Sequence, residues 1–504
     1  MEIIDHALYG LQVVFTFNNL VSCFVGVLLG TMVGVLPGLG PVATISILLP
    51  ITLKLAPSTA IIMLAGIYYG AQYGGSITSI LINLPGEASS VVTCLDGNKM
   101  ALEGRAGAAL GIAAIGSFIG GTISILCVML FGVPIAEFAL KFGPPEYFAL
   151  VFMALTLISS LSMGSALKGI AMAVLGLLTG VIGMDLGTGK PRFTFGIISL
   201  YDGVGLIPVI MGLFGIGEIL SNLETKIGTH FRMEQIKIKK IWPTFQDWVE
   251  SRWAILRGTV VGFFLGVIPG GGALISTFAS YTLEKRISRH PEKFGHGAIE
   301  GVAGPETANN AGAQASFIPM LSLGIPSNVV TAILIGALII HGIEPGPMLI
   351  SAHPDIFWGL IISMFVGNVM LVVLNLPLIF VWVQLLRVPY QFLMPLIILF
   401  CLVGVYSTDS SVADILIMVI FGGVGYLMKR FGFEPTPFVM GLILSPIIED
   451  AFRQSLVISK GSFSIFFSRP ISAILMTAGI LILAGYLIPS LRRKINNLST
   501  NLCD

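Results

Sequence analysis

The sequence predicts an all-α polytopic membrane protein, and composition is the first reason. Hydrophobic residues make up 55% of the 504-residue chain and charged residues only 11%, whereas a soluble domain carries roughly 25% charged residues. The uninterrupted apolar stretches allow about 10–12 spanning helices of about 20 residues each. The formal net charge of +1 gives no long-range attraction for nucleic acid. These figures exclude an ordinary soluble enzyme, a nucleic-acid-binding protein and a disordered chain.

Glycine clusters occur in pairs along the chain, and this is the second reason. Glycine recurs at every fourth position before a Pro-Gly step, once in each half. The two steps are Pro37–Gly38 and Pro269–Gly270, which lie 269 − 37 = 232 positions apart. Four-residue spacing gives a helix one smooth face on which another backbone can approach closely. A Pro-Gly step interrupts a helix, so we expect Pro/Gly-broken helices or re-entrant hairpins at both places.

Further matches follow in the same order: Gly70-Ala71-Gln72 with Gly312-Ala313-Gln314, and Ser90–Thr93 with Asn328–Thr331. We therefore predict a first membrane repeat at residues 1–220 and a second, homologous repeat at 254–470. A basic cytoplasmic or interfacial linker at 221–253 separates them, and an extra C-terminal transmembrane helix and tail occupies 471–504. Internal duplication with paired helix breaks is typical of secondary transporters.

Charge orients the repeats in the membrane. Residues 1–19 contain acidic side chains but no Lys or Arg, whereas the linker is rich in both. An excess of Lys and Arg places the linker in the cytoplasm, so the first repeat crosses the membrane an odd number of times and we expect inverted repeats. Trp242, Trp248 and Trp253 favour an amphipathic helix at the interface; a simple solvated linker is the alternative.

Catalytic signatures are absent from the sequence. It contains no H-E-x-x-H, no G-x-S-x-G and no Asp-rich metal motif, and the five cysteines are scattered without C-x-x-C spacing. We therefore expect no enzyme activity, no cofactor and no resident metal ion.

Polar residues gather beside the breaks instead. Polar groups inside a membrane are costly unless they are paired or face a cavity, so we interpret this group as a solute site. The alternative is that each Ser or Thr bonds a preceding carbonyl and each amide only joins helices. The candidate substrate-binding residues are Pro37, Gly38, Gly40, Thr44, Gln72, Ser76, Pro85, Gly86, Pro269, Gly270, Gly271, Gly272, Ser276, Asn309, Asn310, Gln314, Pro326, Ser327 and Asn328.

Broken helices also suggest which solute could bind. A helix that begins after Pro-Gly near the bilayer midplane points free N–H groups and a positive dipole end into the cavity. Two such ends, one per repeat, would bind carboxylates without a buried Arg or Lys. Helix ends of the opposite sense and unwound carbonyls suit Na⁺, so a Na⁺ site near the breaks is possible, without residues assigned.

The run Gly301-Val302-Ala303-Gly304-Pro305-Glu306-Thr307-Ala308-Asn309-Asn310-Ala311, followed by Pro319-x-Leu321-x-Leu323-Gly324-Ile325-Pro326, resembles a known signature. It is similar to that of the large membrane subunit of tripartite tricarboxylate transporters, the TctA family. Matching segments at 34–40, 95–97, 182–196 and 266–270 extend the resemblance to roughly residues 20 to 470. Gly304 departs from the Ala or Ser expected in the family, which puts no important feature in doubt.

The resemblance implies an uptake system of the bacterial inner membrane driven by an ion gradient, Na⁺ or H⁺, and not by ATP. The implied partners are a small four-span membrane subunit and an extracytoplasmic solute-binding protein, and the implied substrates are di- and tricarboxylates such as citrate. By analogy with TRAP-type carriers, we expect one module for the solute and another for the membrane partner. An ion or solute channel and, less favoured, a membrane-embedded enzyme are the alternative readings.

Overall fold

The computed structural model describes residues 2–36, 40–160, 166–185, 187–224, 241–270, 272–385 and 390–500. These residues are helical almost throughout. Their only strands form one antiparallel pair, β1 (Gly183–Met184) and β2 (Pro191–Arg192), in which Gly183 lies opposite Arg192. The predicted all-α class is confirmed.

The described chain forms two compact units, each built from both halves of the sequence. Residues 1–137 and 207–426 form unit 1, and residues 138–206 and 427–504 form unit 2. The predicted division into two repeats with a linker and a C-terminal helix runs along the sequence and is not tested by this spatial division. About half of the linker, residues 225–240, lies outside the described residues.

Unit 1 contains most of the helices. In chain order they are α1 (Glu2–Val14), α2 (Phe17–Val35), α3 (Gly40–Thr52), α4 (Pro57–Ile82), α5 (Thr93–Met100), α6 (Ala106–Ala139), α9 (Leu206–Ile210), α10 (Gly217–Glu224), α11 (Phe245–Val267), α12 (Gly272–Ile287), α13 (Glu300–Ala315), α14 (Phe317–Leu323), α15 (Val329–Ile340), α16 (Leu349–Ala352), α17 (Pro354–Asn375), α18 (Ile379–Leu385), α19 (Tyr390–Asp409) and α20 (Val412–Arg430). The ends of α6, α9 and α20 extend into unit 2. Unit 2 adds α7 (Pro144–Ser160), α8 (Ala166–Gly180), α21 (Pro435–Ile458), α22 (Ile465–Ser468) and α23 (Pro470–Thr500).

Four helical segments of the described chain are long and apolar enough to cross a membrane. They are Phe17–Val35, the continuous segment Thr93–Ala139, Pro354–Asn375 and Val412–Arg430, and several shorter apolar helices accompany them. Large apolar side chains such as Phe17 and Val412 are exposed on these segments, as lipid-facing residues are. The structure is that of a polytopic membrane protein, and the total of 10–12 spans stays a prediction.

The glycine stripes lie at the closest helix contacts of unit 1. A Cβ atom added to Gly30 of α2 would lie 2.4 Å from the carbonyl oxygen of Ile67 in α4. In the second half, a Cβ added to Gly262 of α11 would lie 2.5 Å from the carbonyl oxygen of Ala308 in α13. Only glycine permits backbones to approach this closely, so the predicted role of the stripes is confirmed.

These contacts also relate α4 to α13 residue by residue. Gly26 faces Met63 and its counterpart Gly258 faces Gly304, which gives an offset of 304 − 63 = 241. The triplet match of Gly70-Ala71-Gln72 uses an offset of 242, one residue away from the structural pairing. Because small residues recur along both helices, alignments of α4 with α13 that differ by one residue look alike in the sequence. Only the helix contacts distinguish the two alignments.

A carboxylate joins the two halves at one end of α13. Asp96 of α5 accepts hydrogen bonds from the backbone N–H groups of Gly295, Gly297 and Ala298 at 2.8, 2.8 and 2.9 Å, and from the Tyr281 hydroxyl at 2.9 Å. Asp96 is fully buried. These bonds fix the loop that leads into α13 against the first half.

In unit 2, ion pairs hold the β1–β2 hairpin against α21. Arg453 donates to both carboxylate oxygens of Asp185 at 2.8 and 3.0 Å, and Arg192 donates to both oxygens of Glu449 at 2.6 and 3.2 Å. The Arg453 guanidinium, together with the N–H of Gly187, holds the pKa of Asp185 well below its usual range.

The stripe contact predicts a stability cost. Gly262→Ala should lower the free energy of unfolding by about 1–3 kcal/mol, the range for overpacking in a tight contact. Gly423→Ala is the matched control, because a Cβ there would meet no atom within 4 Å. Melting temperatures of both variants in detergent check this, and equal melting of Gly262→Ala and wild type would contradict it.

The Asp185 ion pair predicts a pH window. Because the folded-state pKa is depressed, the stabilisation is fully present above the unfolded-state pKa of about 4 and is lost as pH falls through the folded-state value. The melting-temperature difference between wild type and Asp185→Asn should therefore stay constant from about pH 8 to 5 and shrink only in stronger acid. The exposed Asp202→Asn should melt like wild type at every pH, and a difference for Asp185→Asn that is already shrinking at neutral pH would contradict the assignment.

Candidate functional site

Two helix breaks of the second half meet in unit 1. The first lies between α11 and α12, where Gly270 has a φ of 80°. The second follows α14, whose C-terminal cap is Gly324 with a φ of 70°, and it contains Pro326. The N–H of Gly270 donates to the carbonyl oxygen of Ser327 at 2.8 Å. The two breaks are thus hydrogen-bonded to each other. Gly271 lies outside the described residues.

The first half has the same two interruptions. Helix α2 ends before Pro37, α3 begins at Gly40 with a φ of 52°, and Pro37 and Gly38 lie outside the described residues. After α4 comes a second break with Pro85 and Gly86, where a Cβ added to Gly86 would lie 1.9 Å from the carbonyl oxygen of Gly34. This break therefore lies directly on the end of the glycine stripe.

Equivalent capping residues follow the second break in each half. Asn328 caps α15: its Oδ1 accepts from the N–H of Thr331 at 3.0 Å, and the Thr331 hydroxyl accepts from the N–H of Asn328 at 3.0 Å. Glu87 and Ser90 form the same box at the short 3-10 helix 88–91. The offset between the two boxes is again 328 − 87 = 241, whereas the sequence match pairs Asn328 with Ser90 at an offset of 328 − 90 = 238.

Glu306 is the best-buried carboxyl group of the site. It lies in α13, is 1% exposed, and belongs to the second half, yet both its carboxyl oxygens contact hydroxyl groups of the first half. The Ser76 hydroxyl of α4 lies 2.5 Å from Oε2, and the Thr93 hydroxyl of α5 contacts Oε1. Glu306 therefore connects the two halves.

Glu87 makes a second connection between the halves. The amide Nδ2 of Asn309 in α13 donates to Oε1 of Glu87 at 3.3 Å, and the Ser89 hydroxyl contacts the same oxygen. Ser89 Oγ also lies 2.8 Å from Oε1 of Gln72 in α4. Together, Gln72, Ser89, Glu87 and Asn309 form one polar chain across the interface between halves.

Several buried polar atoms near the breaks have no partner in the described structure. They are Asn309 Oδ1, Asn310 Oδ1, Gln314 Oε1 and Ser327 Oγ. Asn310 and Gln314 are four residues apart and so lie on one face of α13. Buried polar groups are normally hydrogen-bonded, and a group of exceptions at a helix break marks a place where a solute, ion or water can bind.

Within the described residues, Thr44 and Ser276, two of the predicted residues, form hydroxyl hydrogen bonds only to their own helix. Thr44 donates to the carbonyl oxygen of Gly40 at 3.0 Å, and Ser276 donates to that of Gly272 at 2.7 Å. Both bonds are those expected if each Ser or Thr only bonds a preceding carbonyl of its helix. While these bonds persist, neither hydroxyl can donate its proton to a solute.

The candidate list omitted Glu87, Glu306 and Thr93, which the structure brings together with Gln72, Ser76 and Asn309. The signal was available in the sequence: an acidic residue beside a proline break, in a segment without other charges, is a functional candidate in a membrane protein. No group of three or more His, Cys, Asp or Glu in the described part of the chain could hold a metal ion.

Comparison with known proteins finds a family model and several relatives that match this chain. The model described as "Tripartite tricarboxylate transporter TctA family" matches residues 20–440. A protein of Agrobacterium vitis, described as an uncharacterized 52.8 kDa protein in the TAR-I ttuC' 3' region, is 49% identical over 494 residues, 98% of this chain and 98% of that protein. An uncharacterized protein of Methanocaldococcus jannaschii is 25% identical over 276 residues, 53% of this chain and 62% of that protein. No solved structure matches the chain.

Proposed function

Because this chain belongs to the tripartite tricarboxylate transporter TctA family, we propose that it is the permease subunit of a secondary transporter that imports di- and tricarboxylates such as citrate across the bacterial inner membrane. An ion gradient, Na⁺ or H⁺, drives the import. The small four-span subunit and the extracytoplasmic solute-binding protein are its partners. Family membership and the polytopic fold support the transporter class, and the site supports the choice of solute.

The unpartnered buried atoms of Asn310, Gln314 and Ser327 are the observation on which this proposal rests. A binding-protein-dependent carrier receives its solute and releases it, so its site must contain polar groups that are satisfied only when the solute is present. Flipping the amides of Asn310 and Gln314 exchanges the oxygen and the NH₂ group. The flipped amides and the Ser327 hydroxyl, whose proton rotates, can then donate to carboxylate oxygens.

Main-chain groups supply the rest of the anion site. Helices α12 and α15 both begin at the joined breaks. The first N–H groups of a helix attract an anion. In secondary transporters the solute lies between repeats, where broken helices meet. The equivalent breaks and capping boxes of the two halves support our proposal that the chain is an inverted duplication around one such site.

Unit 1 contains the joined breaks and the connections between halves, and we propose it as the solute module. Unit 2 then holds the membrane partner. In alternating access, the backbone-packed pairs α2–α4 and α11–α13 move as rigid pieces, because a glycine contact at this distance does not tolerate sliding.

Uptake of labelled citrate into proteoliposomes that contain the chain and its two partners tests the proposal. Saturable uptake that depends on the binding protein and on an ion gradient is expected. A non-saturating conductance at fixed potential would favour a channel instead, and chemical conversion of citrate by the purified chain would favour an enzyme.

The amides of α13 give the first transport prediction. Asn310→Ala and Gln314→Ala should each reduce uptake by about tenfold, since losing one good hydrogen bond to a charged group costs about 1.5–3 kcal/mol. Membrane abundance should stay near normal because neither change removes core bulk. Gln246→Ala, an exposed amide at the start of α11, is the matched control; wild-type uptake in both α13 variants would show that these amides only pack.

The helix break at Gly270 gives the second transport prediction. Gly270→Leu forces a side chain to adopt a positive φ, at a cost of roughly 1–2 kcal/mol, and places it at the solute site, so uptake should be abolished. Gly342→Leu meets the same strain, with a φ of 76°, but a Cβ there has nothing within 4 Å. It should transport normally. Equal uptake by the two variants at equal abundance would remove Gly270 from the site, and by the proposed duplication Gly38→Leu should behave like Gly270→Leu.

A further inference from the structure

The hydroxyl group of Ser76 lies between two acceptors. Its oxygen is 3.0 Å from the carbonyl oxygen of Gln72 and 2.5 Å from Oε2 of Glu306. A hydroxyl group has one proton and donates one hydrogen bond, and a backbone carbonyl can only accept. Both contacts are hydrogen bonds only if the second proton belongs to Glu306. The arrangement is then a chain in which the carboxyl group of Glu306 donates to Ser76 and Ser76 donates to Gln72.

The surroundings of Glu306 favour the neutral carboxyl group. An ionised carboxylate in the interior is stable only beside a cation or several donors, and no described group that faces Glu306 is an unpaired cation. Arg257 of α11 is paired with Glu284 of α12 at 2.6 Å, and Lys99 of α5 is exposed. The titratable side chains that interact electrostatically with Glu306 are Tyr73 of α4, Glu87 before the short helix 88–91, and Cys94 of α5.

A cavity provides access to this proton. Ser76 lines it together with Tyr73, Ser117 and Asn375. The Ser117 hydroxyl also donates to the backbone carbonyl of Glu306 at 3.2 Å, and Oδ1 of Asn375 is buried there without a partner. The other lining side chains are apolar, and the cavity has room for about one water molecule. A water there would reach the Ser76 hydroxyl, which is already in contact with Glu306.

We propose that Glu306 binds and releases the coupling proton of the transport cycle, with Ser76 as its relay; this inference rests on the proposed function. On release, the O–H bond of the carboxyl group breaks and its electron pair stays on Oε2. The proton passes to Ser76 Oγ while the Ser76 hydroxyl proton passes to a cavity water, which leaves a carboxylate and a hydronium ion. Ser76 and Thr93 then both donate to the carboxylate.

The position of Glu306 sets the direction of coupling. Asn310 follows one turn later on the same face of α13, and its amide Nδ2 lies 3.4 Å from the backbone carbonyl oxygen of Glu306. An ionised Glu306 would repel a carboxylate bound at Asn310 and Gln314, whereas a neutral Glu306 would not. Proton and anion therefore bind together and are released together, which makes the carrier a proton symporter.

Infrared spectroscopy tests the proton assignment without any transport. The purified chain in nanodiscs at neutral pH should show the C=O stretching band of a buried carboxylic acid, and Glu306→Gln should lose it. Glu284→Gln is the matched control, because that buried carboxylate is ion-paired and should contribute no acid band. A band that persists unchanged in folded Glu306→Gln would overturn the proposal. Should that variant fail to fold, Ser76→Ala serves: the band must shift when its hydrogen-bond partner is removed, and an unshifted band would equally overturn it.

Transport measurements test the coupling. In proteoliposomes with both partners, an acidic exterior should increase citrate uptake severalfold in wild type, and Glu306→Gln should remove this dependence. Uptake driven by a Na⁺ gradient at equal pH, with Glu306→Gln as active as wild type, would overturn the proposal. If wild type takes up no carboxylate while the band is lost in Glu306→Gln, the proposed function fails and the assignment of the proton to Glu306 stands.

Discussion

The contact of glycine faces with neighbouring backbones is the constraint on which unit 1 depends. Helices α2 and α11 approach α4 and α13 so closely that any side chain at Gly30 or Gly262 would collide with a carbonyl oxygen. In lipid, helix association gains little from the hydrophobic effect, because lipid tails are as apolar as the side chains. Close backbone packing therefore supplies the attraction. It also fixes the position of the breaks, because each stripe ends where its helix is interrupted.

The sequence predicts well those features of the architecture that depend on the length of apolar runs or on a regular spacing of residues. Apolar run length predicted the all-α class, and four-residue spacing predicted both stripes. Pro269-Gly270 and Pro326 correctly marked the breaks, which the structure joins through the Gly270–Ser327 hydrogen bond. The family signature around Glu306 was equally readable and the family match confirms it.

The hydrogen-bond partners of the site residues could not be predicted from the sequence in the same way. Whether a serine bonds its own helix or another one depends on rotamer and helix rotation, and the two cases occur side by side: Ser276 bonds within α12, while Ser76 reaches Glu306 across the halves. The register that relates α4 to α13 was also beyond the sequence, because Gly, Ala and Ser recur too often to distinguish offsets of 241 and 242. Uncharged residues dominate the breaks, and the candidate residues therefore include neither the buried Glu306 nor the half-buried Glu87.

Asp96 has a mechanical consequence. Its three backbone hydrogen bonds attach the loop before α13 to α5. While these bonds persist, a displacement of α5 would carry that loop with it, although the two come from different halves of the sequence. Beyond α5 the chain changes direction at Gly104, which has a φ of 83° within a π-helical turn and no neighbour that a Cβ would touch. A bend of the chain at Gly104 would therefore displace residues of both halves together.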